Sequence, residues 1–155
     1  MQQKPMPVRR QLLQRSAIIA GLLGGTGLFP QFAWAVVNKA FDAKTIQDAL
    51  AALGAAAPTE SSDVLLTGPD WAAHGAIVPF SFSTALPGVK QMLLLVEKNP
   101  VPLVAVFEMS ASLEPAFSIR AKLAQSTDVF AVAVLEDGRA LYARKAVAVT
   151  VGSCD

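Results

Sequence analysis

The chain has 155 residues, of which 53% are hydrophobic, and carries 13 Lys and Arg against 12 Asp and Glu. This near balance of charge lacks the basic excess that is typical of nucleic-acid binding. One cysteine and one histidine give no cluster with the spacing of a zinc or iron site, so we expect no metal and no other cofactor.

The first 35 residues have the pattern of an export signal. Arg9 and Arg10 begin a twin-arginine motif, the apolar stretch 17–29 follows, and Ala33-Trp34-Ala35 has the small-x-small form of a cleavage site. The apolar stretch is shorter than the roughly 20 residues of a membrane helix, so we expect cleavage and no membrane anchor. Residues 1–35 are therefore predicted to be a twin-arginine signal peptide that directs the protein to the periplasm.

Removal of this segment changes the net charge. Lys4, Arg9, Arg10 and Arg15 leave with it and no acid does, so 9 bases and 12 acids remain, a net charge of −3. An acidic mature chain gives no basic face for nucleic acid and no polybasic patch for a membrane surface. Its length suits one compact domain.

The mature chain is predicted to begin with a short helix, Phe41 to Leu53, with Asp42 as its N-cap and Gly54 as its stop signal. Short apolar runs follow, separated by turn residues about every ten residues, which is typical of an all-β sandwich. The runs are 63–67, 75–83, 89–97, 102–109, 117–124, 128–135 and 140–151.

Alternation within these runs predicts which side chains share a face. Both faces of the run 102–109 are apolar, which indicates either a face covered by another subunit or a central strand of the sandwich. The sets expected to share a face are Ala76, Val78, Phe80 and Phe82; Leu103, Ala105, Phe107 and Met109; and Val147, Val149 and Val151.

The single cysteine, Cys154, lies in a four-residue tail after the last predicted strand, Gly152-Ser153-Cys154-Asp155. In an oxidising compartment a lone thiol stays unmodified, pairs with another chain, or carries a group covalently. The tail has no apolar residue to hold it against the domain, so we expect a mobile end with an exposed thiol.

Two further features have both a plain and a functional interpretation. His74 is by default a surface-loop residue, but a thiol enzyme in which it assists Cys154 is an alternative, although a chain end holds an oriented pair poorly. Arg120 and Lys122 lie two positions apart, on what is either a solvated strand face or a patch that attracts an anion or a partner.

Four stretches, together with the signal and the terminal cysteine, resemble the SoxY family, the sulfur-carrier subunits of the periplasmic thiosulfate-oxidising (Sox) system. The similarity extends over nearly the whole mature chain. The stretches are His74-Gly75-Ala76-Ile77-Val78-Pro79, Val96-Glu97-Lys98-Asn99-Pro100, Ser118-Ile119-Arg120-Ala121-Lys122-Leu123-Ala124 and Val147-Ala148-Val149-Thr150-Val151-Gly152.

The resemblance implies an immunoglobulin-like β-sandwich over residues 36–151 and a carrier arm over residues 152–155. It implies that Cys154 is the covalent attachment point for sulfur intermediates and that the protein is a carrier without turnover of its own. The implied partners are a SoxZ-like subunit, a haem-containing enzyme that joins thiosulfate to the thiol, a sulfate-releasing hydrolase and, in some systems, a sulfane dehydrogenase. The alternative is a secreted sandwich whose cysteine forms an intermolecular disulfide.

The tip departs from the family pattern Gly-Gly-Cys-Gly-Gly. Gly152 matches a glycine of the arm, whereas Ser153 and Asp155 replace glycines. Ser153 reduces the conformational freedom of the backbone. Asp155 places its side-chain carboxylate and the terminal carboxylate beside the sulfur, which disfavours the thiolate and raises the pKa of Cys154 above about 8.5.

Asp155→Gly and Asp155→Asn are both expected to lower the pKa of the Cys154 thiol, because each removes a carboxylate. The pH dependence of thiol alkylation measures this. A downward shift in both variants identifies the charge as the cause, and the absence of any downward shift would refute the prediction.

Overall fold

The computed structural model describes residues 31–110 and 112–150. A compact unit begins at Val36. Within the described residues there are two helices and nine strands. They are α1 (Gln31–Asp42), α2 (Ile46–Ala52), β1 (Thr59–Glu60), β2 (Val64–Thr67), β3 (Trp71–Ala72), β4 (Val78–Thr84), β5 (Val89–Val96), β6 (Leu103–Glu108), β7 (Ala116–Ala121), β8 (Thr127–Leu135) and β9 (Ala140–Val149).

The strands form two sheets that face each other. The larger sheet has the order β1-β9-β8-β5-β6, with β3 also paired to β9, and the smaller sheet has the order β2-β4-β7. β1 and β3 run parallel to β9, whereas the other pairs are antiparallel. This confirms the predicted β-sandwich with a helical segment before it.

Apolar side chains are buried on both faces of the larger sheet. One face packs against the smaller sheet and forms the inner core, which includes Phe80, Phe82 and Leu94. The other face forms the outer core with residues of the helical segment, such as Leu50. A strand buried on both sides reads as a continuous apolar run rather than an alternating one, which explains the fully buried segment Met92–Val96.

The predicted single helix 41–53 is wrong in its start and its cap. Asp42 is the last residue of α1, and a short break separates it from α2. The N-cap is Thr45, which has an extended backbone and accepts a hydrogen bond of 3.1 Å from the Asp48 N–H. A cap needs this extended backbone, which Asp42 does not have as part of α1.

The predicted helix stop at Gly54 is confirmed. Gly54 has φ +74°, a left-handed conformation that glycine adopts without a steric penalty. The Gly54 N–H donates to the Ala51 carbonyl oxygen and the Ala55 N–H to the Leu50 carbonyl oxygen, at 3.1 and 3.0 Å. These two bonds form a Schellman motif.

Strand β6 corrects two further expectations. It lies at the edge of the larger sheet and, among the described residues, pairs with β5 alone, so it is not a central strand. The register with β5 shifts at Val104, which has no partner across the ladder. One extra residue reverses the face, so Leu103 joins the outer core whereas Phe107 packs on the inner core.

The remaining expectations on shared faces are largely confirmed. Val78, Phe80 and Phe82 are buried together in the inner core, and Val147 is buried there with Val149 packed against it. Ala76 is exposed, because it lies in a turn that precedes β4, so its predicted place on that face is wrong. Val151 lies outside the described residues.

Leu94→Ala is expected to lower the free energy of unfolding by about 2–5 kcal/mol, because it leaves a cavity in the inner core. Leu94 is 0% exposed, whereas the matched control Leu65 is 59% exposed on the smaller sheet. Leu65→Ala is expected to change stability by less than about 1 kcal/mol. Urea unfolding measures both changes. An equal loss of unfolding free energy in Leu94→Ala and Leu65→Ala would contradict the assignment of Leu94 to the core and Leu65 to the surface.

Candidate functional site at the end of strand β9

The last described residues of β9 are held from one side by Ser126. The Val149 N–H donates to the Ser126 hydroxyl at 2.9 Å, and this hydroxyl donates to the Val149 carbonyl oxygen at 3.2 Å. One side chain therefore bonds both backbone groups of Val149. The regular pairing between β8 and β9 ends where Thr127 lies opposite Val147, so Ser126 continues the attachment of β9 beyond the end of that ladder.

The opposite side of β9 is held by the segment that contains β3. The Ala148 N–H donates to the Asp70 carbonyl oxygen at 2.9 Å, and the Thr150 N–H donates to the Ala72 carbonyl oxygen at 3.2 Å. The last described residue, Thr150, therefore belongs to a backbone segment that is hydrogen-bonded on both sides. We call this point the arm root, because the predicted carrier arm follows it in the sequence.

An ion pair adds to the attachment of the β3 segment. Lys145 Nζ lies 2.5 Å from Asp70 Oδ1. The hydrogen bond from Lys145, and then its charge, lower the pKa of Asp70 below its ordinary value. The pair therefore persists at neutral pH and is lost only in acid, as the pH falls through that lowered pKa. Because Asp70 is exposed, the pair orients the segment more than it stabilises the fold.

Asn99 braces a second loop beside the arm root. Its amide group donates to the Lys122 carbonyl oxygen at 2.8 Å, and its carbonyl oxygen accepts from the Ala124 N–H at 3.0 Å. The loop between these residues is thereby fixed by both ends of one side chain. An asparagine suits this position because its amide is both donor and acceptor.

The same loop is bonded to the segment that carries His74. The Leu123 N–H donates to the Gly75 carbonyl oxygen at 2.7 Å. A Cβ on Gly75 would collide with the Leu123 carbonyl oxygen and lie 3.2 Å from Val149 Cγ1. Only glycine allows the backbones to approach this closely.

These contacts surround a groove of about 360 Å³ at the arm root. Three of the four stretches that carry the family resemblance contribute residues to its lining. The fourth contributes Asn99, which donates a hydrogen bond to the carbonyl oxygen of the lining residue Lys122. All four stretches therefore meet in space although they are separated in sequence. The groove is lined by His74, Gly75, Ala76, Lys122, Leu123, Ala124, Val149 and Thr150.

The structure brings together some of the residues singled out from the sequence. His74 is an exposed loop residue, as expected, and it lines the groove with Lys122 and Thr150. Arg120 is exposed on β7, two positions before Lys122. The predicted attachment residue and its arm, Cys154 with Gly152, Ser153 and Asp155, lie outside the described residues.

Sequence reasoning missed the residues that hold the arm root. Asn99 was named only within a stretch that carries the family resemblance, without a role of its own, and Ser126 and the two-residue strand β3 were not singled out. A Ser or Asn near a strand end is a weak signal, because such residues are also common in turns without any tertiary contact. A parallel strand of two residues has no alternation from which it could be found.

The described residues contain no group of three or more His, Cys, Asp or Glu side chains that could hold a metal ion. None of their helices has the length and hydropathy to cross a membrane.

Asn99→Ala is expected to lower the free energy of unfolding by about 1–2 kcal/mol, because two hydrogen bonds are lost. The Ala124 amide should also exchange its hydrogen faster. Asn99→Asp keeps the acceptor for the Ala124 N–H and should retain most of that protection. The control is Asn38→Ala, which removes an exposed helical asparagine, and unchanged exchange of Ala124 in Asn99→Ala would contradict the bracing.

Several solved structures of other proteins resemble this chain. The sulfur carrier protein SoxY from Chlorobium limicola f. thiosulfatophilum is 29% identical, with a TM-score of 0.63, over 69% of this chain and 97% of that chain. A superoxide reductase (neelaredoxin) from Ignicoccus hospitalis, in a single-substitution form, is 16% identical, with a TM-score of 0.50, over 56% of this chain and 79% of that one. That second likeness shows the fold alone.

Sequence comparison gives the family. No curated protein matches the chain. The family model for the sulfur oxidation protein SoxY matches residues 49–154, which is more than half of the chain and contains every residue that lines the groove at the arm root. Together with the Chlorobium structure, this match shows that the chain belongs to the SoxY family of sulfur oxidation proteins.

Proposed function

We propose that this protein is a carrier in sulfur oxidation, that it holds its sulfur cargo covalently on Cys154, and that it performs no turnover alone. Family membership supports the role in sulfur oxidation. The proposal that Cys154 is the attachment site is supported by the extent of the family match, which reaches residue 154, the single cysteine of the chain.

The arm root gives this proposal a physical basis. Delivery to a separate enzyme needs a tether whose starting point is defined. Thr150 is bonded through its N–H to Ala72, and Val149 is bonded through both backbone groups to Ser126. Cys154 follows Thr150 by four residues, which span roughly 13 Å when extended.

This short reach limits how partners can engage the carrier. Each client enzyme must bring its reactive centre within the length of the arm, so it must bind close to Thr150. The proposed clients are a haem-containing enzyme that joins thiosulfate to the thiol, a sulfate-releasing hydrolase and, in some systems, a sulfane dehydrogenase. A SoxZ-like β-sandwich is the proposed permanent partner.

The division of the chain is part of the same proposal. Residues 1–35 are a twin-arginine signal, residues 36–151 are the carrier domain and residues 152–155 are the arm. A role in the Sox system agrees with the periplasmic location that the signal predicts.

Mass spectrometry of the C-terminal peptide tests the attachment. Protein isolated from thiosulfate-oxidising cells without reducing agent is expected to carry sulfane or thiosulfonate adducts on Cys154. Cys154→Ser should carry none. The adducts should disappear on treatment with a thiol reductant, because they are joined through a sulfur–sulfur bond.

The other interpretations give different outcomes. A peptide found only as a disulfide between two chains would favour the secreted interaction protein. An activity of the isolated protein that is lost in both Cys154→Ser and His74→Ala would favour the thiol enzyme. Either result would overturn the carrier proposal.

A further inference from the structure

The groove at the arm root is lined by basic side chains and by no acidic ones. Its lining includes two basic residues, His74 and Lys122, and no Asp or Glu. Lys122 forms no ion pair with a described residue, whereas Arg139, Arg144 and Lys145 each have an aspartate partner. The chain without its predicted signal is acidic, so this local positive charge does not follow from composition.

The backbone under these two residues is fixed. Gly75, which follows His74, is bonded to Leu123, which follows Lys122. Asn99 then bonds the Lys122 carbonyl oxygen directly. The two basic residues are thus neighbours across a short, braced pair of loops. Because this backbone is already fixed, ligand binding has to order only the two exposed side chains.

A third polar group completes the lining. The Thr150 hydroxyl donates to the Ala73 carbonyl oxygen over 3.4 Å, a long and therefore weak hydrogen bond that an anion in the same groove can displace. Ammonium, imidazole and hydroxyl groups can all donate to the oxygens of an anion. Arg120 is exposed two positions before Lys122 and adds to the positive potential.

The groove lies within reach of the proposed cargo. Thr150 is part of its lining, and Cys154 is four residues further on. Four residues of chain span at most roughly 13 Å, which sets how far Cys154 can lie from Thr150. A group attached to Cys154 can therefore return to the groove without any movement of the domain.

From these observations we propose that His74, Lys122 and Thr150 form a cradle for a sulfur oxyanion. Its ligand is a sulfonate-type end group, either attached to Cys154 or present as an anion in solution. The cradle would hold charged cargo against the domain between visits to client enzymes. This inference rests on the proposed carrier function.

Chemical labelling of Cys154 tests the cradle without native cargo. Sulfonatoethyl methanethiosulfonate forms a disulfide with the thiolate, releases methanesulfinate and leaves a sulfonate on the arm. The hydroxyethyl analogue leaves a neutral group of similar size. His74 is the only histidine, so its imidazole proton resonances are unambiguous by NMR, and at fixed pH they should shift with the sulfonate label but not with the neutral one.

Matched lysine variants assign the effect. Lys122→Gln should remove most of the difference in His74 chemical shift between the sulfonate-labelled and the neutrally labelled protein. Lys90→Gln is the control, because Lys90 is exposed at the opposite end of the larger sheet, and it should retain the difference. At low salt, Lys122→Gln should also lower the labelling rate of the anionic reagent relative to the neutral one by roughly threefold, as expected for one unit charge about 6 Å away in water.

A free anion distinguishes a cradle that binds oxyanions from solution from one that binds only a sulfonate attached to Cys154. Sodium sulfate is added to Cys154→Ser protein at constant ionic strength. A saturable shift of His74 that Lys122→Gln abolishes shows that the cradle binds oxyanions from solution, whereas a shift seen only with the tethered sulfonate restricts it to cargo on the arm. No shift with either, or a shift unchanged in Lys122→Gln, would overturn the cradle. Native adducts on Cys154 would still support the carrier proposal in that case.

Discussion

The register of β9 is the constraint on which the rest of the site depends. This strand pairs with β8 along one edge and with β1 and β3 along the other. Val147 is buried in the inner core, whereas Ala146 and Ala148 are exposed, so a slip of one residue would expose the valine and bury its neighbours. The position of Thr150, where the proposed arm starts, is therefore set by the packing of the core.

The loops around the arm root use a different kind of interaction. Asn99 and Ser126 each satisfy two backbone groups with one side chain. Such bonds contribute modest stability, but they remove backbone freedom where no regular ladder continues. The described helical segment stabilises the opposite face of the larger sheet and provides no residue to the groove. The described helical segment thus contributes to stability without contributing a side chain to the groove.

The sequence predicted the sandwich well because its main strands are long enough to show a pattern. Phe80 and Phe82 alternate with less buried residues, which made the face of β4 predictable. Prediction failed where one residue changed the geometry, since the extra residue at Val104 reversed Leu103 and no local signal marks such a bulge. Thr45 and Asp42 are both good cap residues, and only the tertiary structure distinguishes them.

The candidate site was only partly predictable for the same reason. Cys154 was singled out by its type and position and stays a prediction, whereas His74 was assigned to a surface loop and Lys122, with Arg120, to a strand face. The meeting of His74 and Lys122 at the arm root depends on contacts between distant segments, such as Leu123 with Gly75. The most direct test of the central claim is sulfate release from thiosulfate by a reconstituted Sox system with this protein as the carrier. The account predicts release with the wild-type chain and none with Cys154→Ser, and an equal rate with both would contradict it.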